Sequence, residues 1–219
     1  LKRLGIGVGR KPVARLMEHM GIRSLAPHKA TSAPAKHHPR FPYLLRGLAI
    51  SHPNQVWATD ITYIRIGRTH MYLSVVIDWY SRYVVSWRLH DTLEAHEAVL
   101  CMRRAFELHG TPSIANSDQG KTYTADEYVA LLAEHGVRQS MDGRGRWADN
   151  VIVERWFRDL KHYKLFLNEY STPSELKALI AEWVDAYNNR KLHTSLGDCT
   201  PAEWYFSGLN AVNAPREAA

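Results

Sequence analysis

Cysteine is scarce in this chain, which contains two among its 219 residues. Cys101 and Cys199 are far apart and belong neither to a C-x-x-C pair nor to a zinc-finger spacing. The sequence therefore offers no disulfide framework and no cysteine-based zinc site. We expect both residues to be reduced thiols.

Long hydrophobic runs are also missing. No stretch of about 18 apolar residues occurs and no basic leader precedes an apolar segment, so neither a membrane span nor a secretory signal is supported. Apolar residues still make up 45% of the chain, which is enough for one main core. We expect a cytoplasmic protein without a membrane partner.

Acidic residues are almost absent from the first 50 positions, which hold ten Lys or Arg and one acid, Glu18. The remaining positions hold 18 basic and 21 acidic residues, so the positive charge is concentrated in an amino-terminal arm. Such an arm favours binding to a phosphate backbone, because each neutralised phosphate releases counterions. A solvated tail is the alternative.

One short helix is predicted inside this arm, with Pro12 at its start and Gly21 as its C-cap. Its apolar residues form a single stripe. Arg10, Lys11 and Arg15 lie away from that stripe, so we expect them to contact DNA as the second helix of a helix-turn-helix does.

The segment from position 56 to the carboxyl terminus shows the periodicity of an α/β domain. Three strands rich in β-branched and aromatic residues are predicted at 56–66, 72–79 and 83–89, and they form an antiparallel meander. Further strands are predicted at 113–116 and 137–141. Helices are predicted at 93–109, 125–134, 149–165 and 173–188, with a short one after position 200. This order predicts a mixed sheet with helices packed on it.

Three acidic residues in this segment are candidates for metal-dependent chemistry. Asp60 lies inside the first strand among apolar or small neighbours, where a carboxylate is costly unless it is paired, protonated or metal-bound. Asp118 follows an apolar strand and precedes Gly120, so its side chain is aimed out from the sheet. Alone, each has a structural alternative: a salt bridge for Asp60 and a capped turn for Asp118. Brought together with Glu154, they could hold two divalent metal ions.

Glu154 can be placed by helical angle, at about 100° per residue. Asn150, Glu154, Arg158 and Lys161 fall on one arc beside the apolar face of the predicted helix. An acid at the core's margin with a cation two turns away suits a metal ligand beside a DNA phosphate. The alternative is a solvated i, i+4 pair between Glu154 and Arg158.

Several short motifs carry a family resemblance. The segments 52–63 (HPNQVWATDITY), 78–82 (DWYSR), 116–120 (NSDQG), 149–155 (DNVIVER) and 187–193 (YNNRKLH) resemble the catalytic core of DDE transposases and retroviral integrases. The chain is most similar to the transposases of the bacterial insertion sequence three family, over about residues 5–206. The 35 residues between Asp118 and Glu154, and a Lys seven positions after the Glu, are both typical of that group.

The resemblance implies an RNase H-like fold with a five-stranded mixed sheet flanked by helices, and a small basic helical segment before it. It implies that Asp60, Asp118 and Glu154 bind two Mg²⁺ ions, for which Mn²⁺ is expected to substitute, in a transposase that cleaves and joins DNA ends. An RNase H-like nuclease without strand transfer and an inactive DNA-binding relic are the alternatives. The expected domains are a partial helix-turn-helix at 1–25, a linker at 26–54, the catalytic core at 55–170 and a helical extension at 171–219.

The resemblance also implies partners and DNA contacts. The expected partners are double-stranded DNA, as terminal inverted repeats and target, and further copies of the chain assembled on nucleoid DNA. Family members carry an upstream portion that is absent here, so we expect this chain to be a fragment or to need a helper. Lys161, Asn150 and Arg158 are predicted to lie at DNA. Arg190 and His193 are predicted DNA contacts too, with a helix C-cap as the alternative. Trp147 either stacks on a base or anchors its loop.

Overall fold

The computed structural model of the chain describes residues 7–22, 41–142 and 150–213. It contains two compact units, Leu1–Lys36 and His37–Ala219. Most of the predicted linker and the Gly-rich segment with Trp147 lie outside the described residues. Among those residues, no helix has both the length and the apolar character needed to cross a bilayer.

The first unit contributes one described helix, α1, at Arg10–His19. It starts two residues before Pro12 and is capped by Met20, and Gly21 follows in the left-handed conformation with φ of 67°. Leu16 and Met20 of its apolar stripe are more than half exposed. The unit therefore offers a helix whose apolar face is uncovered within the described part of the chain.

A five-stranded mixed sheet forms the centre of the second unit. Its strands are β1 (Val56–Ile66), β2 (Thr69–Asp78), β3 (Val84–His90), β4 (Ile114–Ser117) and β5 (Arg138–Met141). They lie in the order β3-β2-β1-β4-β5. The first three strands pair antiparallel, and β4 runs parallel to both β1 and β5. The predicted meander and mixed sheet are thereby confirmed.

Helices cover both faces of this sheet, namely α2 (Ala95–His109), α3 (Asp126–Glu134), α4 (Val151–Tyr163), α5 (Pro173–Asn189) and α6 (Pro201–Asn213). Successive residues of β1 point to opposite faces. Trp57 belongs to the core that includes α2 and α3, whereas Ala58 belongs to the core that includes α4 and α5. The last helix is 13 residues long, so the prediction of a short one was wrong.

Two motif residues anchor the entry to β1. The Asn54 backbone N–H donates to Asp78 Oδ1 at 2.8 Å, and its side-chain amide donates to the His109 carbonyl at 3.0 Å. Asn54 Oδ1 accepts from Trp57 Nε1 at 3.0 Å and from the Tyr205 hydroxyl at 2.8 Å. This one side chain therefore ties β1, α2 and α6 together and has a structural role.

Asp78 is fully buried at the end of β2. Besides the bond from Asn54, its Oδ2 accepts from the Ser81 backbone N–H at 2.8 Å and from the Ser81 hydroxyl at 2.6 Å. These bonds fix the turn that leads into β3, where Arg82 has a positive φ of 66°. The segment 78–82 is thus explained by a hydrogen-bonded turn.

Candidate active site

Asp60 lies on the face of β1 that packs against α4 and is half-buried. Its Oδ1 accepts one hydrogen bond, at 2.8 Å, from the backbone N–H of Ile61. Burial raises the pKa of the carboxyl to about 7, and the negative charges of Asp118, Glu154 and Asp142 add to the rise. No salt bridge to Asp60 occurs among the described residues, so this carboxylate lacks a compensating cation.

The parallel register between β1 and β4 brings Asp118 beside Asp60. The last pair joins Ala58 to Asn116, and Asp60 and Asp118 each lie two residues beyond it. Asp118 Oδ1 accepts from the Gly120 N–H at 2.9 Å, and partial desolvation raises the pKa of this carboxyl as well. The pairing of β1 with β4 therefore brings these two carboxylates to one edge of the sheet, which we call the acidic edge.

Helix α4 approaches the same edge. Its buried face consists of Val153, Trp156, Phe157 and Leu160, as the helical angle predicts. The Asn150 side chain donates to the Thr59 carbonyl at 3.3 Å, and Lys161 Nζ donates to Thr62 Oγ1 at 2.8 Å. These two bonds hold the two ends of the helix to β1, one on each side of Asp60.

Glu154 is exposed on this helix and adds to the negative potential at Asp60. The alternative ion pair with Arg158 is not formed, and no other salt bridge to Glu154 occurs in the described ranges; Arg158 lies 3.9 Å from Asp159 instead. Glu154 and Arg158 line one groove of about 380 Å³ together with Asp60 and Lys161. The acidic end of the groove is therefore formed by Asp60 and Glu154, and Arg158 and Lys161 form its basic wall.

Lys161 is held in a fixed position within this wall. Apart from its bond to Thr62, its Nζ lies 5.3 Å from the centroid of the Tyr63 ring, a cation–π contact. Desolvation lowers the pKa of the amine. The contacts with Thr62 and Tyr63 thus fix the position of the Lys161 ammonium group in the groove.

Asp142 is a fourth acid at this edge, and the sequence analysis did not single it out. In the parallel register of β4 and β5, Ser117 pairs with Met141, so Asp118 and Asp142 leave adjacent strands at equivalent positions. The Asn116 amide donates to Asp142 Oδ1 at 2.9 Å. Carboxyl ends of neighbouring parallel strands meet at one edge of a sheet, but this rule identifies Asp142 only once β5 is known to lie beside β4.

Lys191 was also missed, although it lies in a quoted motif. Its Nζ is 2.9 Å from Asp159 Oδ2 and lies 5.3 to 5.9 Å from the ring centroids of Tyr163, Trp183 and Tyr187. These contacts link α4 to the end of α5. Lys191 therefore fastens the helix that carries Glu154.

The other predicted DNA contacts lie outside this groove. Asn150 is 3% exposed and its bond to the Thr59 carbonyl gives it a positioning role, while its contact with DNA stays a prediction. Arg190 pairs with Asp185 of its own helix region at 2.9 Å. His193 is half-buried against the Tyr187 ring, with centroids 5.1 Å apart. Lys11 and Arg15 are exposed on α1.

The acidic edge fits a hard divalent cation. Carboxylate oxygens are the ligands that Mg²⁺ prefers, and a raised carboxyl pKa without a cationic partner indicates charge that a metal would neutralise. Within the described ranges, no three His, Cys, Asp or Glu side chains converge closely enough to hold one ion. The participation of all three predicted ligands thus stays a prediction.

Known proteins share this fold. The catalytic core domain of HTLV-2 integrase, solved in complex with magnesium, matches with a TM-score of 0.59 and 20% identity, covering 70% of this chain and 97% of that one. A chain from the structure of the simian T-cell lymphotropic virus intasome in complex with PP2A regulatory subunit B56 gamma matches with a TM-score of 0.66 and 21% identity, covering 97% of this chain and 73% of that one. The fold is therefore RNase H-like.

Sequence comparisons identify the protein family within this fold. Two family models described as integrase core domain match residues 50–146 and 135–201. The transposase InsK of insertion sequence IS150 from Escherichia coli K12 is 32% identical over 216 residues, or 93% of this chain and 74% of InsK. InsF of IS3A, from the same strain, is 30% identical over 210 residues, or 93% and 73%. These matches show that the chain is a DDE polynucleotidyl transferase. It belongs to the transposases of the bacterial insertion sequence three family.

Proposed function

We propose that Asp60, Asp118 and Glu154 form the centre at which this transposase cleaves the ends of an insertion sequence and joins them to target DNA. The observation that carries the proposal is the closeness of two carboxylates, Asp60 and Asp118, which each lie two residues beyond the last pair of β1 and β4. The charge of Asp118 helps to raise the Asp60 pKa to about 7, and no described residue forms a salt bridge to Asp60. A group in this state is typical of functional sites. Glu154 completes the set from α4.

The three carboxylates would hold two Mg²⁺ ions, or Mn²⁺ in their place. When bound, such a pair of ions supplies Lewis-acid stabilisation to the attacking and leaving oxygens of an in-line displacement. Asp60 and Asp118 present oxygens from adjacent strands, and Glu154 approaches from the helix above them. Lys161 and Arg158 hold DNA phosphates along the groove.

The partners follow from this assignment. Element ends and target are double-stranded DNA, and several copies of the chain assemble on it, with the amino-terminal basic segment at 1–25 contributing further contacts. We assign residues 26–54 to a linker whose last part, from Tyr43 onward, packs on the core. Residues 55–170 are assigned to the catalytic core and 171–219 to its helical extension. The exposed cations Lys11 and Arg15 support the DNA-binding role of the first segment.

An oligonucleotide assay tests the proposal. With Mg²⁺ and a duplex that carries a terminal inverted repeat of the source element, the wild-type chain is expected to nick at the element's end and to join the 3′-hydroxyl to a second duplex. Asp118→Asn is expected to lower both rates by more than about 10³-fold. Asp91→Asn, at an exposed acid outside the groove, serves as the matched control.

Three outcomes would contradict parts of the proposal. Cleavage without a joined product would indicate a nuclease of the same fold. Undiminished activity in Asp118→Asn would remove the residue from the site. A wild-type chain that binds the duplex but neither cuts nor joins it in either metal would indicate an inactive relic.

A further inference from the structure

An exposed aromatic ring forms part of the wall of the groove and has no role in the proposed chemistry so far. Phe166 lines the groove together with Asp60, Glu154 and Lys161 and is 68% exposed. It lies in a single 3-10 turn, Leu165–Leu167, immediately after α4. A large apolar ring in this position leaves surface that water covers poorly.

The turn that carries Phe166 is anchored on both sides. Leu165 is 2% exposed and packs in the core beneath α4. The Lys164 N–H donates to the Leu160 carbonyl at 3.1 Å, and the Asn168 side chain donates to the Lys164 carbonyl at 2.7 Å. The burial of Leu165 therefore fixes its neighbour Phe166 at the surface.

A second aromatic group supports the ring from the helix. The His162 ring lies edge-on to the Phe166 ring, with centroids 5.2 Å apart and an interplanar angle of 77°. Leu167, which is 73% exposed in the same turn, does not line the groove. The turn thus presents one apolar side chain to the groove and another outside it.

The charges in the groove select what can cover this ring. Lys161 and Arg158 form the basic wall, and Lys161 is fixed by its bond to Thr62 and by the Tyr63 ring. A ligand that complements this wall must combine a flat apolar face with a nearby phosphate anion. A nucleotide has both, since bases stack on aromatic side chains while cations track the backbone.

We propose that Phe166 stacks on an unpaired base of the DNA strand next to the phosphate held by Lys161 and Arg158. This proposal rests on the proposed function, because it places the substrate in the same groove. Unpairing a base costs a few kcal/mol, and it costs least at a duplex end or a mismatch. The ring therefore favours DNA whose end is frayed, and it does so for any base, because every base has a π-face.

The test uses 2-aminopurine, whose fluorescence falls when it stacks. The fluorescent base is placed in turn at each of the three positions on either side of the cleaved bond, in the Asp118→Asn chain so that no cutting occurs. At one position we expect quenching on binding. In Asp118→Asn with Phe166→Ala the quenching should be lost and binding weakened about tenfold.

Leu167→Ala is the matched control, because it removes an equally exposed apolar side chain from the same turn. It is expected to retain both quenching and affinity, and Phe166→Trp is expected to restore what Phe166→Ala loses. A pre-unpaired end should reduce the effect of Phe166→Ala on DNA binding, because the unpairing cost is then already met. Equal behaviour of Phe166→Ala and Leu167→Ala in quenching and affinity would overturn the proposal.

The outcome can be separated from that of the proposed function. Quenching is measured without catalysis, whereas strand transfer is measured with the unsubstituted triad. Normal strand transfer with no position quenched would reject the base-stacking site and leave the proposed function standing. Quenching that depends on Phe166, in a chain whose wild type joins no DNA, would support the base site while rejecting strand transfer.

Discussion

Two acids of the same sheet, Asp78 fully buried and Asp60 half-buried, differ in how many hydrogen-bond donors the protein gives them. Asp78, at the end of β2, accepts one hydrogen bond from Asn54 and two from Ser81. Asp60, in the adjacent strand, accepts a single bond from the Ile61 N–H and is near further negative charges. Burial raises the pKa of both carboxyls, but only at Asp78 do three donors oppose the rise.

The difference in hydrogen bonding distinguishes the structural acid Asp78 from Asp60, the acid that we propose as a metal ligand. A buried carboxylate that is fully hydrogen-bonded contributes to the fold, because its donors would otherwise be unsatisfied. A carboxylate left with one donor beside like charges costs free energy in the apo protein. We therefore expect a bound cation to stabilise the Asp60 carboxylate, as the three hydrogen bonds already stabilise that of Asp78.

The largest expected effect is that of removing Asp78. Asp78→Ala leaves the N–H groups of Asn54 and Ser81 and the Ser81 hydroxyl without their acceptor in a buried turn. We expect the free energy of unfolding to fall by about 4 kcal/mol. Urea denaturation followed by tryptophan fluorescence measures it.

Asp126→Ala, at an exposed acid in the first turn of α3, is the control and should cost less than about 1 kcal/mol. Loss of strand transfer in Asp78→Ala should follow the folded fraction. A fully folded Asp78→Ala chain that is inactive would break the comparison, because it would give Asp78 a direct part in the chemistry.

The second prediction concerns the pH dependence of stability without metal. The pKa of Asp60 is raised from 3.8 to about 7 on folding, so between these values the folded chain binds more protons than the unfolded one. The stability of the wild type should therefore fall as pH rises from about 4 to 7. Asp60→Asn removes this loss and should be about 2 kcal/mol more stable than the wild type at pH 8.

Denaturation at pH 5 and at pH 8 measures the difference. Added Mg²⁺ should stabilise the wild type at pH 8 and leave Asp60→Asn unchanged, because a ligand stabilises only the state that binds it. If Asp60→Asn were less stable than the wild type at pH 8, Asp60 would resemble Asp78 and the distinction would fail.

The sequence was most informative where a residue's role depends on its own strand or helix. The strand at 56–66 and the buried face of α4 were predicted correctly because their periodicities are long and regular. Residues 69–71 were missed from β2 because Thr69 and His70, next to the hairpin turn, are polar and exposed and interrupt the strand pattern, although all three residues pair with β1.

Roles that depend on contacts between distant segments were not predictable. Asp142 reaches the acidic edge through the pairing of β4 with β5, which a single sequence does not give. Phe166 faces the groove because Leu165 is buried, and neither orientation is encoded in the local pattern. The role of Asn54 required four partners that are up to 151 positions away.

The smallest expected effect tests how loosely Asp118 is held. A Cβ added at Gly120 would lie 2.8 Å from Asp118 Oδ1, which is too close for contact, although the Gly120 backbone, with φ of −65°, accepts alanine. Gly120→Ala should therefore displace the carboxylate without straining the fold. We expect the strand-transfer rate to fall about tenfold, equivalent to about 1.4 kcal/mol, with stability changed by less than about 0.5 kcal/mol.

Magnesium titrations of the rate distinguish displacement of Asp118 from a general loss of activity. Gly120→Ala should need more Mg²⁺ for half-maximal rate, whereas Lys121→Ala, at the exposed neighbour, should leave the Mg²⁺ requirement unchanged. Asp118 can move because, among the described residues, a single backbone N–H donates to it, and the three bonds of Asp78 would not permit such a displacement. An unaltered rate and Mg²⁺ requirement in Gly120→Ala would mean that the position of the Asp118 carboxylate is not critical. The contrast between the loosely held Asp118 and the fixed Asp78 would then no longer explain the site.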